Sequence, residues 1–259
     1  MQTIRQPAVA GLFYPFDAGE LAQLVRRYTQ GDAPASSPKM IIVPHAGYIY
    51  SGAIAGAAYA QLQSATQVRR VVLLGPSHRV ALRGIAVPSV DRFATPLGEI
   101  AIDNGLREAI TSLPGVIVHD VPHAQEHSLE VQLPFLQSLL PGGFTLLPLV
   151  VGDADPATVA AVLDAVWGSD ETLVVISTDL SHYLPYGTAR QVDAETSALI
   201  EARNTQIHPE QACGAHPLNG ALLLARRKNL QVECVKLANS GDTTGTRDRV
   251  VGYGAYVVR

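Results

Sequence analysis

Cysteine is the scarcest informative residue here. Only Cys213 and Cys234 occur in 259 residues. That is too few for a disulfide-stapled secreted fold, and neither belongs to a C-x-x-C pair that would hold a structural zinc. No uninterrupted apolar run approaches the ~18 residues that a bilayer crossing needs. The N-terminal stretch MQTIRQPAVAGLFYPFDAGE has no basic start followed by an apolar h-region, so no secretory signal is read. Sparse thiols fit a reducing compartment, and a cytoplasmic protein without a membrane partner is expected. Charge is low too: 19 basic against 23 acidic residues give a net −4, with no basic run, so no nucleic-acid partner is expected. The P-loop, the G-x-G-x-x-G turn and the G-x-S-x-G elbow are all absent from the sequence.

What is present is apolar. At 47% hydrophobic residues the chain can bury a large core. No internal repeat or long polar linker divides it, so a single domain over residues 1–259 is expected, with the Pro/Ser-rich segment 31–38 as a loop. Short β-branched runs at 40–44, 71–75, 85–89, 116–119, 145–151, 173–178, 232–237 and 250–258 read as strands. Longer amphipathic or Ala-rich stretches at 51–63, 128–140, 156–167, 188–204 and 217–228 read as helices, with Pro134 kinking the second. Strands that are apolar throughout need cover on both faces. Their alternation with helices predicts an α/β fold, a central and mainly parallel sheet flanked by helices.

Three histidines follow strands directly: His45 in VPHAGYIYSG, His78 in GPSH, and His182 in STDLSHY with Asp179 three residues earlier. In an open α/β sheet the carboxyl ends of the strands form one rim, where ligands bind. Imidazole is the commonest side-chain ligand for iron, copper and zinc, and a further histidine there can move protons. Gly47, Gly52 and Gly75, beside these histidines, are read as turn-permitting residues. Residues 123–127, His-Ala-Gln-Glu-His, match the inverted zinc-peptidase signature H-x-x-E-H. Pro122 precedes the motif and the apolar helical pattern starts only at Ser128, so Glu126 and His127 are read instead as loop residues of the same rim or a helix entrance. Cys213 and Cys234 are read as core or loop thiols, and Gly252 and Gly254 as a bulge or close-packing site.

Several long segments, in order, resemble the Memo-like family: RQPAVAGLFYP, IIVPHAGYIYSG, LLGPSH, AQEHSLEVQLPFLQ, STDLSHY, NSGDTTG and RVVGYGAY. The match runs almost end to end. The family is similar in fold to the LigB-type (class III) extradiol dioxygenases, which are non-haem iron enzymes. The resemblance therefore implies a sheet flanked by helices with a metal pocket at one sheet edge. It implies His45 and His78 as metal-binding histidines, with Asp179 and His182 as further pocket residues and the position of His182 acting as acid or base. Animal Memo proteins supply a cysteine near the C-terminus as third ligand, and counting back from the Tyr of VVGYGAY places Thr243 there. A neutral Thr is a poor ligand for a soft metal, whereas the adjacent Asp242 offers a carboxylate. Two histidines and a carboxylate favour Fe(II), with zinc or copper as other occupants. Microbial relatives are often encoded beside a radical-SAM protein, which implies a shared pathway.

The expectation is a metal-dependent, dioxygenase-like oxidoreductase acting on a small molecule of unknown identity. His45, His78 and Asp242 hold the metal, while His182, Asp179 and His127 carry the catalysis. A zinc-dependent hydrolase and a non-catalytic binding or signalling protein on the same scaffold are the alternatives.

Overall fold

The computed structural model describes residues 3–31, 36–140, 142–243 and 245–259, so much of the 31–38 segment lies outside the described residues. Four strands form the parallel centre of a nine-stranded sheet: Met40–Val43, Thr172–Ser177, Arg70–Pro76 and Thr145–Val151, side by side in that order. Every residue of Met40–Val43 and Thr172–Ser177 is buried. Alternate side chains serve opposite faces, as a strand's two-residue period requires. Ile41, Val43, Val71, Leu73, Val175 and Leu146 enter one core, and Met40, Ile42, Val72, Leu74, Val174 and Leu147 the other.

Helices close both layers. The first core packs under Ala18–Tyr28, Tyr48–Tyr59 and Leu133–Leu139, the second under Pro156–Ala165 and Ala215–Arg227. Outside the parallel centre the sheet turns antiparallel. Val250–Val258 pairs with Met40–Val43 and with Val232–Asn239, and the short strand His182–Leu184 joins it at Val250 and Val251. On the other flank Ile85–Val87 runs against Thr145–Val151, with Val116–Val118 parallel to it at the edge. The sheet is therefore mixed around a parallel core, the α/β architecture expected. No helix among the described residues is long and apolar enough to cross a membrane.

Three readings need correction. The helix expected over 128–140 is broken into His127–Glu130 and Leu133–Leu139, and Pro134 opens the second piece rather than kinking one helix. Proline is tolerated in a first turn because its missing N–H would have no helical partner there. Asp17 caps a helix, Ala18–Tyr28, that the sequence reading passed over; its carboxylate accepts the Glu20 N–H. Finally, Gly47, Gly52 and Gly75 are not among the glycines with positive φ. At Gly52 and Gly75 the role is close approach: a Cβ on Gly52 would lie 2.4 Å from the Tyr28 ring, and one on Gly75 would lie 2.7 Å from Ser128 Oγ, whereas one on Gly47 would come no nearer than 3.6 Å to its neighbours. Gly252 is the close-packing residue expected, with a Cβ there 2.0 Å from Asp193 Oδ2.

The tightest such contact against backbone in the helix after His45 is at Gly56, where a Cβ would meet the Tyr28 carbonyl oxygen at 2.3 Å. Alanine is the better helix former by ~1 kcal/mol, yet overpacking a filled interface costs ~1–3 kcal/mol. Gly56→Ala is expected to lower the thermal midpoint, and an unchanged or raised midpoint would show that the two helices can move apart freely.

Candidate metal centre

The carboxyl ends of the three parallel strands Met40–Val43, Thr172–Ser177 and Arg70–Pro76 point to one rim, and the residues just past them meet there. His45 and His78 are joined by His127, the first residue of its short helix. One ligand atom from each lies within 4.8 Å of the others, a group that could hold a metal ion. The rings face one another with centroids 5.1 Å apart for His45 and His78, 5.4 Å for His45 and His127, and 4.7 Å for His78 and His127.

The hydrogen-bond network assigns their tautomers. The Ser177 hydroxyl donates to the Ser128 carbonyl at 2.6 Å and accepts from Gln132 Nε2 at 2.9 Å. Its one proton is committed, so the contact from His45 Nδ1 at 2.9 Å must be N–H donating to oxygen. That leaves the lone pair of His45 on Nε2. Glu126 does the same for His78: its Oε1 lies 2.9 Å from His78 Nδ1 and its Oε2 accepts the His78 backbone N–H at 2.7 Å. Burial alone would raise the Glu126 carboxyl, but the bonds from the His78 ring and backbone and the Ser128 N–H outweigh it and hold it at about 2. An ionised acceptor fixes Nδ1–H and frees Nε2, the carboxylate–histidine arrangement common behind metal ligands. The same Oε1 is 3.3 Å from His127 Nδ1. That nitrogen has no aligned hydrogen-bond partner although it is buried.

Electrostatics keep the lone pairs available. Burial, reinforced by the neighbouring imidazoles, pushes His45 well below its ordinary value. Burial lowers His127 to about 4, Glu126 pulling it back only in part. Two rings kept neutral by burial, His45 and His127, two with fixed tautomers, His45 and His78, and one orphaned buried nitrogen, on His127, lie mutually close and fit a divalent ion.

The group forms the floor of a cleft of about 810 Å³ that Asp179, His182, Tyr50 and Tyr183 also line. Asp179 Oδ1 accepts the His45 N–H at 2.7 Å, with the Ala46 N–H as a second donor. Burial nevertheless dominates and lifts its carboxyl to about 7. His182 is lowered by burial and bonded to the Leu180 carbonyl rather than paired with Asp179. Tyr183, with φ +59° and 63% exposed, stands at the rim in the sparsely populated left-handed region.

Of the residues singled out from sequence, His45, His78, His127, Asp179 and His182 come together here. Asp242 does not. Its Oδ1 accepts from the Tyr186 hydroxyl at 2.6 Å and its Oδ2 from the Asn239 N–H at 3.0 Å, and it lines a separate shallow recess. Thr243 is exposed and donates to the Ser240 carbonyl. The expected carboxylate is thus engaged in its own local turn, and it is His127 that stands in the close group with His45 and His78. The H-x-x-E-H segment is split, as its poor context implied. His123 turns into the interior, where its Nε2 meets the Ala86 carbonyl at 3.0 Å, while His127 faces the cleft. Ser177 and Gln132 were missed as site-forming residues, and Glu126, read as a loop residue of the rim or a helix entrance, stands behind His78. The only sequence signal for Glu126 was its place beside His127.

Fold and site together define an α/β protein with an imidazole cluster at the strand ends. A family model described as Memo-like protein matches residues 5–257. A MEMO1 family protein of Aquifex aeolicus is 39% identical over 266 residues, covering 96% of this chain and 97% of that one. One from Methanopyrus kandleri is 34% identical, covering 98% and 99%. The chain belongs to the Memo-like family. An uncharacterized protein of Escherichia coli K12 shares the fold at TM-score 0.50 and 12% identity, over 85% of this chain and 99% of that one.

Two tests follow from this geometry. Glu126→Gln removes the ionised acceptor, and metal affinity is expected to fall by about 10- to 100-fold in a chelator-competition titration. An unchanged affinity would mean that the rings are held by packing alone. Asp179→Asn keeps an oxygen acceptor but no titration. Asp179's folded value, about 7, lies above the ordinary 3.8. Its contribution to stability is therefore full below about 4 and lost as pH rises through about 7. In metal-free protein, denaturant midpoints of wild type relative to the variant should drop across that window. Parallel curves would remove the buried-carboxyl assignment.

Proposed function

We propose that this protein is a metal-dependent enzyme whose ion is held by His45, His78 and His127, and that it is an oxidoreductase of the dioxygenase-like kind acting on a small molecule. The observation that carries the reading is the mutual approach of three imidazole donors within 4.8 Å at the floor of an open cleft. Fe(II) is the proposed ion, and when bound it would supply a Lewis-acid and one-electron centre at the end of the cleft. The chain's own residues do the rest. Glu126 and Ser177 fix the ring orientations of His78 and His45. Phe13, whose ring lies 4.7 Å from that of His127, adds an apolar surface to the cleft beside it. In this reading His182, its value lowered by burial, takes a proton from a bound substrate, and Asp179, with its raised carboxyl, returns one.

A specific observation favours a second reading. The third donor is an imidazole, and three histidines with an open position are a hydrolytic zinc set, whereas non-haem iron oxygenases use two histidines and a carboxylate. Of the two carboxylates beside the group, Glu126 is engaged behind His78, and Asp179 has its Oδ2 4.0 Å from His45 Nε2.

The test is elemental analysis of protein purified without added metal, in wild type and in His45→Ala, followed by anaerobic loading. Stoichiometric metal lost in the variant, with oxygen consumption by the Fe(II) form alone, is the expected result. Activity with zinc only would move the assignment to a hydrolase. No metal in either protein would overturn the enzyme reading.

A further inference from the structure

Cys213 lies 168 residues from His45 in sequence, yet its Sγ is 3.2 Å from His45 Nε2. Nδ1–H of that ring is committed to Ser177, so Nε2 presents its single lone pair to the sulfur. An ordinary thiol keeps its proton at neutral pH, and the contact is S–H donating to nitrogen. The other acceptors in reach are more distant and already engaged: the Asp179 carbonyl, at 3.8 Å, accepts from Thr178 Oγ1 at 2.8 Å and from the Cys213 N–H at 3.2 Å, and Thr178 Oγ1, at 3.9 Å, accepts the Gly214 N–H at 2.9 Å. The sulfur in turn accepts the Asp179 N–H at 3.3 Å. The thiol is thereby fixed on the one atom through which His45 can bind an ion. It is not part of the close group formed by His45, His78 and His127. A nitrogen with one lone pair cannot serve a thiol proton and an ion together.

We propose that Cys213 is a removable cap on the metal centre, its S–H group occupying the His45 lone pair until an ion displaces it. The thiol then sets how much metal is needed to load the site. This rests on the metal-centre reading given above. The displaced group has somewhere to turn: a second recess of about 560 Å³ reaches Cys213, bounded by Ser77, Gly152 and His216. Metal entry at the triad leaves the S–H bond intact and breaks only the hydrogen bond, so no proton leaves the cysteine.

The test is a Zn(II) titration of metal-free wild type, Cys213→Ala, Cys213→Ser and His45→Ala against a chromophoric chelator. Calorimetry in two buffers of different ionisation enthalpy counts the protons released. Cys213→Ala is expected to bind roughly five- to tenfold tighter, the factor that one hydrogen bond represents, with the same proton count as wild type. Cys213→Ser, which restores a hydroxyl cap, is expected to return towards wild type. Equal affinity in wild type and Cys213→Ala overturns the cap. Weaker binding with one proton fewer also overturns it, since the sulfur would then be a ligand. If wild type binds no Zn(II), the metal-centre reading itself fails. The thiol contact is then judged in metal-free protein by the ring nitrogen resonances of His45, and an Nε2 resonance unmoved in Cys213→Ala refutes it.

Discussion

Parallel strands buried on both faces leave a chain little choice about where to place polar chemistry. Side chains within Met40–Val43 and Thr172–Ser177 enter one core or the other, and a charged group at any of those positions would be buried without a partner. Polar residues are admitted just past the carboxyl ends, where the backbone leaves the sheet. Since adjacent parallel strands end on the same side, residues far apart in sequence are brought within reach of one another. His45, His78 and Asp179 owe their proximity to this constraint. The last residue of the Thr172–Ser177 strand is a polar group of the site that lies inside a buried strand. Ser177 is fully buried, and all of its hydrogen-bonding capacity is spent on Ser128, Gln132 and His45.

Two carboxylates in this site are driven in opposite directions by their donors. Glu126 is buried, yet the His78 ring, the His78 N–H and the Ser128 N–H hold it ionised. Asp179, also buried, receives backbone N–H groups from His45 and Ala46, and burial prevails. One carboxyl is thus held ionised, and the other is raised to about 7. This is the division of labour expected when like groups occupy unlike environments. The imidazoles complete the balance. Clustered neutral rings cost little to bury, whereas clustered imidazolium ions would repel one another at this distance.

The sheet was legible in sequence because its strands are apolar from end to end, and a β-branched run of that kind reads the same in isolation as in the fold. The strand 145–151 and the strand 250–258 were placed at their observed limits. The rim histidines were legible for the same reason, as the first polar groups after such runs. Side-chain direction within turns was not. Asp242 and Thr243 sit on one helical turn, Ser240–Thr243, whose local hydrogen bonds with Asn239 and Ser240 decide where they point. No composition or spacing carries that information. Cys213 and Glu126 were missed as partners because their contacts with His45 and His78 span 168 and 48 residues. Glycine misled in another way, since its freedom of φ and its lack of a Cβ look identical in sequence, and here the second mattered at the site.

The segment carrying Glu126 and His127 has little regular structure of its own, being two single-turn helices joined by residues 125–126. It is held from outside by the start of the chain. Arg5 donates to the His123 carbonyl at 3.1 Å and the Glu126 carbonyl at 2.8 Å, and it pairs with the Glu130 carboxylate. Glu130, fully buried, also accepts from the Ala8 and Val9 N–H groups and the Tyr14 hydroxyl. A buried ion pair adds little net stability over an apolar replacement of equal volume, because desolvation offsets the attraction. What it adds is direction: a guanidinium with five donors in a fixed fork accepts only one arrangement of three oxygens. The same segment reaches the His45 loop, where the Tyr48 N–H donates to the Phe13 carbonyl at 2.7 Å. Residues 5–14 thus tie together the two loops that carry His45 and His127, and the spacing of the imidazoles is set by polar contacts with the first residues of the chain as much as by the sheet.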